Sequence, residues 1–263
     1  MDKLKITFGI ITTENTQHYI KDIIESIKLQ NIPEDSYEII IVGNCNIPDE
    51  KNVRIITFDE SIKNMWITKK KNIITKEAIY ENIVYMHDYL SLSSEWYIKF
   101  LEFGTEWDIC MNSIKNPDGS RILDWMGLPD DPIYGNVVLP YEYAGSKGMY
   151  VPGYFWIAKK SIMLEYPLNE DFCWGEGEDI EWSKRAIGGF PPGWLKNSAD
   201  LLSGRVKIGD SKYVINQECS IISLKHKFFH PDFFTGNDLH SGNESRPLES
   251  TIENYKYLKY RTH

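Results

Sequence analysis

Ile6-Thr7-Phe8-Gly9-Ile10-Ile11-Thr12 is a nearly unbroken apolar run, and His18 to Gln30 follows it with Ile20, Ile23, Ile24 and Ile27 at helical spacing. The first segment reads as a buried strand and the second as an amphipathic helix. Working outward, Pro33 breaks the chain, and Tyr37 to Val42 is a second continuous apolar run closed by Gly43-Asn44. Such a run suits a strand covered on both faces in a parallel sheet. Val53 to Phe58 reads as a third strand, Thr68 to Ile79 as a helix, and Asn82 to Met86 as the next buried strand, which stops at His87-Asp88. The order β-α-β-β-α-β predicts an α/β fold whose first half is a doubly wound layer of the kind that binds nucleotides.

Beyond it, Ser94 to Phe103 is expected to be a helix with Trp96, Ile98 and Leu101 on its packed side, and Trp107 to Met111 a strand. From Asn116 to Tyr150 the chain turns to Gly, Pro, Asp and aromatics with little periodicity, which suggests a functional loop region. Gly153 to Ala158 reads as a strand, Lys160 to Glu165 as a short helix and Glu178 to Ile187 as a stronger one. Tyr213 to Leu224 holds one or two strands, and Pro247 to Tyr260 a terminal helix. No repeat or low-complexity linker divides the 263 residues, so a single domain with a ligand-shaping second half is the economical reading.

Hydrophobic residues at 42% and charged residues at 25% are near globular averages, which argues against disorder or a fibrous architecture. The formal charge of −9 makes the surface repel a polyanion, so nucleic acid is not an expected partner. A phosphate would need a local basic site, with a metal to neutralise it. The four cysteines form no CxxC pair, which fits a reducing compartment. The amino-terminal apolar run is too short for a signal sequence or a membrane span. A cytoplasmic location is therefore expected, with peripheral contact to a membrane left open. Aromatic residues reach 13%, many between positions 125 and 194.

Three groups could carry chemistry. Asp88 follows a buried strand, and ligands of open α/β sheets collect beyond the carboxyl ends of strands. A carboxylate there can hold Mg²⁺ or Mn²⁺ while phosphates and waters complete the shell; the plainer reading is a turn cap. The segment Trp174 to Arg185 sets Glu176, Glu178, Asp179 and Glu181 within six positions, ahead of Lys184 and Arg185. Acids opening a helix and bases closing it already gain roughly 0.3–1 kcal/mol each from the macrodipole. That account leaves Gly175, Gly177 and the flat face of Trp174 unexplained, and a carboxylate held there could take a proton from a sugar hydroxyl. Third, Lys69-Lys70-Lys71-Asn72 sets three cations against the helix dipole, a strain that a diphosphate would relieve. His226 and His230, late in the chain, could complete a metal shell begun by Asp88, with His230 the favoured one.

In order, these segments resemble the GT-A fold glycosyltransferases, of the family 2 type with a galactosyltransferase-like carboxyl half. Ile11 to Asn15 stands where those enzymes have a strand ending in Pro-Thr-Tyr-Asn, Lys71-Asn72 resembles their Arg-Asn, and Met86 to Tyr89 their Asp-x-Asp segment. Gly175 to Asp179 resembles their Gly-Glu-Asp, and Gly153-Tyr154-Phe155 the stretch that lines the sugar pocket. The likeness covers roughly residues 4 to 232. It implies a Rossmann-like mixed sheet over residues 1–235, with a nucleotide-sugar half at 1–112, an acceptor half at 113–235 and a tail at 236–263. It further implies an inverting transfer of sugar from a UDP- or GDP-sugar to a glycan or glycoconjugate hydroxyl, with Mn²⁺ or Mg²⁺.

By the same resemblance Thr12, Thr13, Glu14, Asn44, Lys71, Asn72, His87 and Asp88 contact the donor, and Asp88 holds the metal with His226 or His230. Asp179, or its neighbour Glu178, is the base. Trp125, Tyr154, Trp174, Gly175 and Gly177 line the sugar and acceptor site. Two departures stand out. The Asp-x-Asp is reduced to one acid beside His87, and Gly43-Asn44 replaces an acidic pair near the base, where the Asn44 amide could read a base edge. Trp125, Tyr134, Tyr141, Tyr143, Tyr150 and Trp156 could stack on acceptor sugars, although Trp156 alternates within a strand as a core residue would. Two other readings are a nucleotidyltransferase, for which Ile11 to Gln17 lacks a glycine-rich phosphate loop, and a non-catalytic carbohydrate-binding protein, which leaves Asp88 and the acidic cluster without a task.

Overall fold

In chain order the elements are β1 (Ile6–Ile11), α1 (Ile20–Lys28), β2 (Tyr37–Val42), β3 (Val53–Ile56), α2 (Ile67–Glu77), β4 (Asn82–His87), β5 (Leu90–Leu92) and α3 (Trp96–Phe103). There follow β6 (Ile109–Lys115), β7 (Met126–Gly127), β8 (Val137–Val138), β9 (Met149–Tyr150), β10 (Phe155–Lys159), α4 (Lys160–Glu165), α5 (Glu178–Ala186) and β11 (Tyr213–Ser223). They come from a computed structural model that describes residues 4–13, 17–127, 137–142, 148–188 and 208–225. Every residue of β1 is buried, and β1 lies between two parallel partners, with Ile11 in register with Val42 of β2 and with His87 of β4. Parallel neighbours need crossovers, which α1 and α2 supply. The four isoleucines of α1 all face inward, each contributing roughly 1.5–3 kcal/mol.

The main sheet has eight strands in the order β3-β2-β1-β4-β10-β6-β11-β5. The first four are parallel, as expected. Beyond them the sheet is mixed, because β10 runs antiparallel to both β4 and β6. That reversal positions the site. Phe155, the first residue of β10, pairs with Met86 near the end of β4, so the residues before β10 stand beside His87 and Asp88. Residues from both expected halves of the chain therefore share one sheet and one edge.

Several elements depart from the sequence reading. β5 is too short to show a period, and its three residues pair with the end of β11. β11 is one strand of 11 residues whose register on β6 shifts between Asn216 and Ser220, which accounts for the expectation of one strand or two. Within Asn116 to Tyr150, Ile122, Leu123 and Trp125 are buried and β7, β8 and β9 form a small antiparallel sheet. Two-residue strands carry no legible alternation. On α3, Trp96, Tyr97 and Phe100 pack inward while Ile98 and Leu101 face solvent. The terminal helix expected at Pro247 to Tyr260 lies outside the described residues. Among the described residues, no helix is long and apolar enough to cross a membrane.

Candidate active site

Three strand ends meet at one edge. Just past β1, the Thr12 hydroxyl donates to Asp88 Oδ2 at 2.6 Å, and the Thr12 N–H donates to the Val42 carbonyl of β2 at 3.0 Å. Asp88 is buried and follows β4 directly. The His87 N–H donates to the Tyr154 carbonyl at 3.0 Å, which ties this turn to the lead-in of β10. Half-buried Asn44 accepts the Phe58 N–H at 3.4 Å, and half-buried Thr13 lies beside Thr12. From the far side the end of β11 closes over the turn. The Leu224 N–H donates to the Tyr89 carbonyl at 2.7 Å, and Lys225 Nζ stands 4.8 Å from the Tyr89 ring centroid.

Among the described residues, no group of three or more His, Cys, Asp or Glu side chains could hold a metal. Asp88 supplies one carboxylate, which fits a cation that takes one or two protein carboxylates and fills its shell with phosphate oxygens and water. Glu14, His226 and His230 lie outside the described residues.

The acidic pair reaches the same edge through Gly153. Its N–H donates to Asp179 Oδ2 at 2.7 Å, and the second oxygen of Asp179 accepts the Ile180 N–H at 2.8 Å. Glu178 is 5% exposed, and a Cβ on Gly153 would lie 2.6 Å from its Oε1 and 3.1 Å from Asp179 Oδ2. A side chain there would have to push the Glu178 carboxylate aside. Lys71, 1% exposed, donates from Nζ to the Gly153 carbonyl and lies 4.5 Å from the Trp156 ring centroid. Burial, reinforced by the Asp179 charge, pushes Glu178 up to about 7. Burial also raises Asp179, against the pull of its two N–H donors and Lys71, and lowers Lys71 to about 8. Asp179 is the member of the pair whose two oxygens are both fixed by backbone N–H groups, from Gly153 and Ile180.

Packing fixes this arrangement. The Trp156 ring lies between Tyr85 and Trp182, at centroid distances of 5.1 and 5.6 Å, and the Trp182 indole N–H donates to the Tyr166 carbonyl at 2.6 Å. Ser183 Oγ accepts the Val151 N–H at 3.1 Å and so docks α5 on the strand lead-in. The other two acids are structural: Glu176 accepts the Cys173 N–H at 2.6 Å, and Glu181 pairs with Arg185 at 2.6 Å. Trp174 is 58% exposed, and Gly175 and Gly177 beside it have φ of +82° and +78°, values that disfavour a side chain.

The structure corrects two expectations. Lys69-Lys70-Lys71 needs no external anion to relieve the helix start, because each cation has an internal partner. Lys69 pairs with Glu170 at 2.8 Å, Lys70 pairs with Glu60 and donates to the Thr12 carbonyl at 2.8 Å, and Lys71 turns to Gly153. Asn72 spends its whole amide on the segment before Trp174, giving to the Leu168 carbonyl and Glu170 and accepting the Leu168 N–H. The aromatic platform also loses its described members. Trp125 is 2% exposed with its ring 4.7 Å from Tyr213, Tyr150 and Trp156 are core, and the Tyr141 hydroxyl donates to Asp124 at 2.6 Å. Tyr134 and Tyr143 lie outside the described residues. Tyr154 is half-buried, with its hydroxyl on the Leu123 carbonyl. Sequence reasoning missed Ser183 and Lys225, whose partners are far away in the chain.

Solved structures with the same arrangement of strands and helices decide the fold. Residues covering 98% of the chain superpose on GalNAc-T7, in a complex with UDP, GalNAc and Mn²⁺, with a TM-score of 0.57 at 11% identity. The chain has the GT-A fold. S. aureus TarS shares it at a TM-score of 0.52 and 13% identity over 84% of the chain, and TarS 1–349 in complex with UDP-GlcNAc at 0.50 and 11% over 98%. This GT-A chain spans 37% of the TarS chain and 48% of the GalNAc-T7 chain. No family model matches the sequence, and no curated protein matches it.

Proposed function

We propose that this chain is a metal-dependent, inverting glycosyltransferase that moves a sugar from a UDP- or GDP-sugar to a hydroxyl of a glycan or glycoconjugate acceptor, acting in the cytoplasm. The observation that carries the reading is the Gly153 hydrogen bond to Asp179, at the sheet edge that also holds Asp88. The complexes of TarS 1–349 with UDP-GlcNAc and of GalNAc-T7 with UDP, GalNAc and Mn²⁺ support the choice of donor.

In this reading the donor lies across the strand ends, with its nucleoside toward Thr12, Thr13 and Asn44 and its diphosphate toward Asp88 and His87. Asp88, with His226 or His230, would hold Mn²⁺ or Mg²⁺, which when bound supplies positive charge to the departing diphosphate. Asp179, fixed by two backbone N–H groups, takes the proton of the acceptor hydroxyl as that oxygen attacks the anomeric carbon from the face opposite the diphosphate. Direct displacement inverts the configuration. Trp174 offers an exposed flat face to the sugar.

The test is release of nucleoside diphosphate from a panel of UDP- and GDP-sugars, with Mn²⁺ or with chelator, and the anomeric configuration of the product by NMR. Metal-stimulated release and an inverted product are expected. Preference for a nucleoside triphosphate would instead indicate a nucleotidyltransferase, and absence of nucleotide binding a carbohydrate-binding protein.

A further inference from the structure

We propose that Lys71 is a positioning residue for the acidic pair: its buried ammonium, anchored on the Gly153 carbonyl, is the counter-cation shared by Glu178 and Asp179 and not a ligand of the donor's phosphates. The inference deepens the reading of Asp179 as the base and rests on it for its catalytic meaning.

An ammonium that is 1% exposed must be compensated from within the protein. The Gly153 carbonyl and the Trp156 ring offer only partial charges. The full negative charges beside Lys71 belong to Glu178 and Asp179, which act on it from α5. Gly153 joins the two sides through one peptide unit each way, with its N–H on Asp179 and its carbonyl on Lys71. Glu178 Oε1 stands 2.6 Å from where a Cβ on the same glycine would lie, so a single residue gathers all three charged groups.

The other ionisable groups that face the set are Glu176, in the turn before α5, and Tyr150 and Tyr154, on either side of Gly153. Burial raises both tyrosines well above their ordinary range, so they stay neutral. Among the described residues, Lys71 is the cation acting on both acids. Two carboxylates and one ammonium carry one net negative charge, and a proton taken by Glu178 leaves the set neutral while Asp179 stays ionised. Without Lys71, two buried like charges face each other uncompensated, and the pair takes up a further proton at Asp179.

Lys71→Met, Lys71→Arg and the double variant Lys71→Met/Glu178→Gln test this in the ligand-free protein, by ¹³C NMR titration of the side-chain carboxyl carbons. Lys71→Met should raise the Asp179 midpoint by about one unit or more. Lys71→Arg should keep it near wild type. The double variant, read against Glu178→Gln alone, should still show a raised Asp179 midpoint and supplies a fold-preserving readout if Lys71→Met alone is unstable. Calorimetry with UDP should find affinity within about twofold of wild type, because the proposal gives Lys71 no phosphate. An Asp179 midpoint unmoved in Lys71→Met relative to wild type, or in the double variant relative to Glu178→Gln alone, overturns the inference, as does a tenfold or larger loss of UDP affinity on the order expected for a lost charged contact. The titration needs no sugar transfer. A shifted midpoint in a protein that transfers nothing would therefore sink the glycosyltransferase reading and leave the shared counter-cation standing.

Discussion

Asp179 Oδ2 accepts the Gly153 N–H at 2.7 Å, so the carboxylate is aimed by the lead-in of β10 as much as by its own helix. The strand that aims it pairs with β4, whose end carries Asp88. Residues some ninety positions apart thus answer to one hydrogen-bond ladder.

Gly153→Ala tests that coupling. The added methyl would stand 2.6 Å from Glu178 Oε1, and either the pair or the strand lead-in must shift. A misplacement near 1 Å costs on the order of 10²-fold in rate, so kcat should fall by about that much. Stability should drop by about 1–3 kcal/mol, as overpacking does. UDP affinity, measured by calorimetry, should change little.

Asp179→Asn should preserve nucleotide binding and lower transfer by on the order of 10²–10⁴-fold, the contribution of a general base. Glu178→Gln should be the milder change, because Asp179 is the acid that the Gly153 and Ile180 N–H groups hold in place. Steady-state rates of the two variants decide the matter; an inactive Glu178→Gln beside an active Asp179→Asn would reassign the base.

Thr12→Val removes the 2.6 Å hydrogen bond to Asp88 while keeping the shape of the side chain. Loss of a partner that orients a ligating carboxylate costs about 10–100-fold in metal affinity. Mn²⁺ titration in the presence of UDP should show that loss, and Asp88→Ala should abolish metal-linked binding. An unchanged titration in Asp88→Ala would remove the metal from this carboxylate.

Stability should pass through a trough near neutral pH. Glu178 sits at about 7 in the folded protein against an ordinary 4.5. Between those values the folded state holds the extra proton, so its contribution to stability falls as pH rises through the window. Lys71 sits at about 8 against an ordinary 10.5. There the unfolded state holds the extra proton, and the contribution rises with pH. Unfolding free energies from urea titrations across pH 5 to pH 10 should fall and then recover, by on the order of 1–3 kcal/mol. The acid-side fall should flatten in Glu178→Gln; an equal fall in that variant would detach it from this residue.

The first half of the fold was legible because its strands are buried on both faces and its helices carry one apolar stripe, as Ile20, Ile23, Ile24 and Ile27 show. What escaped reading was short or long-range. β5 and β7 to β9 have two or three residues each, too few for a period, and the direction of β10 is a property of pairing rather than of sequence. At the site, the types of residue were readable but their partners were not. Lys69 to Asn72 looked like a basic patch awaiting an anion, yet the partners that satisfy it, at Glu60, Gly153, Leu168 and Glu170, lie 10 to 101 positions away. Trp125 looked like a loop aromatic and is a core residue, because the strand that covers it with Tyr213 arrives from near the end of the described chain.

The ring of Trp156 lies 4.5 Å from the Lys71 ammonium and stacks on Trp182 and Tyr85. An indole beside a charge that comes and goes is an optical sensor. As Lys71 gives up its proton above pH 8, the red edge of the protein's tryptophan absorption should move with it. The site therefore reports its own ionisation in ultraviolet light, with no label, substrate or metal added.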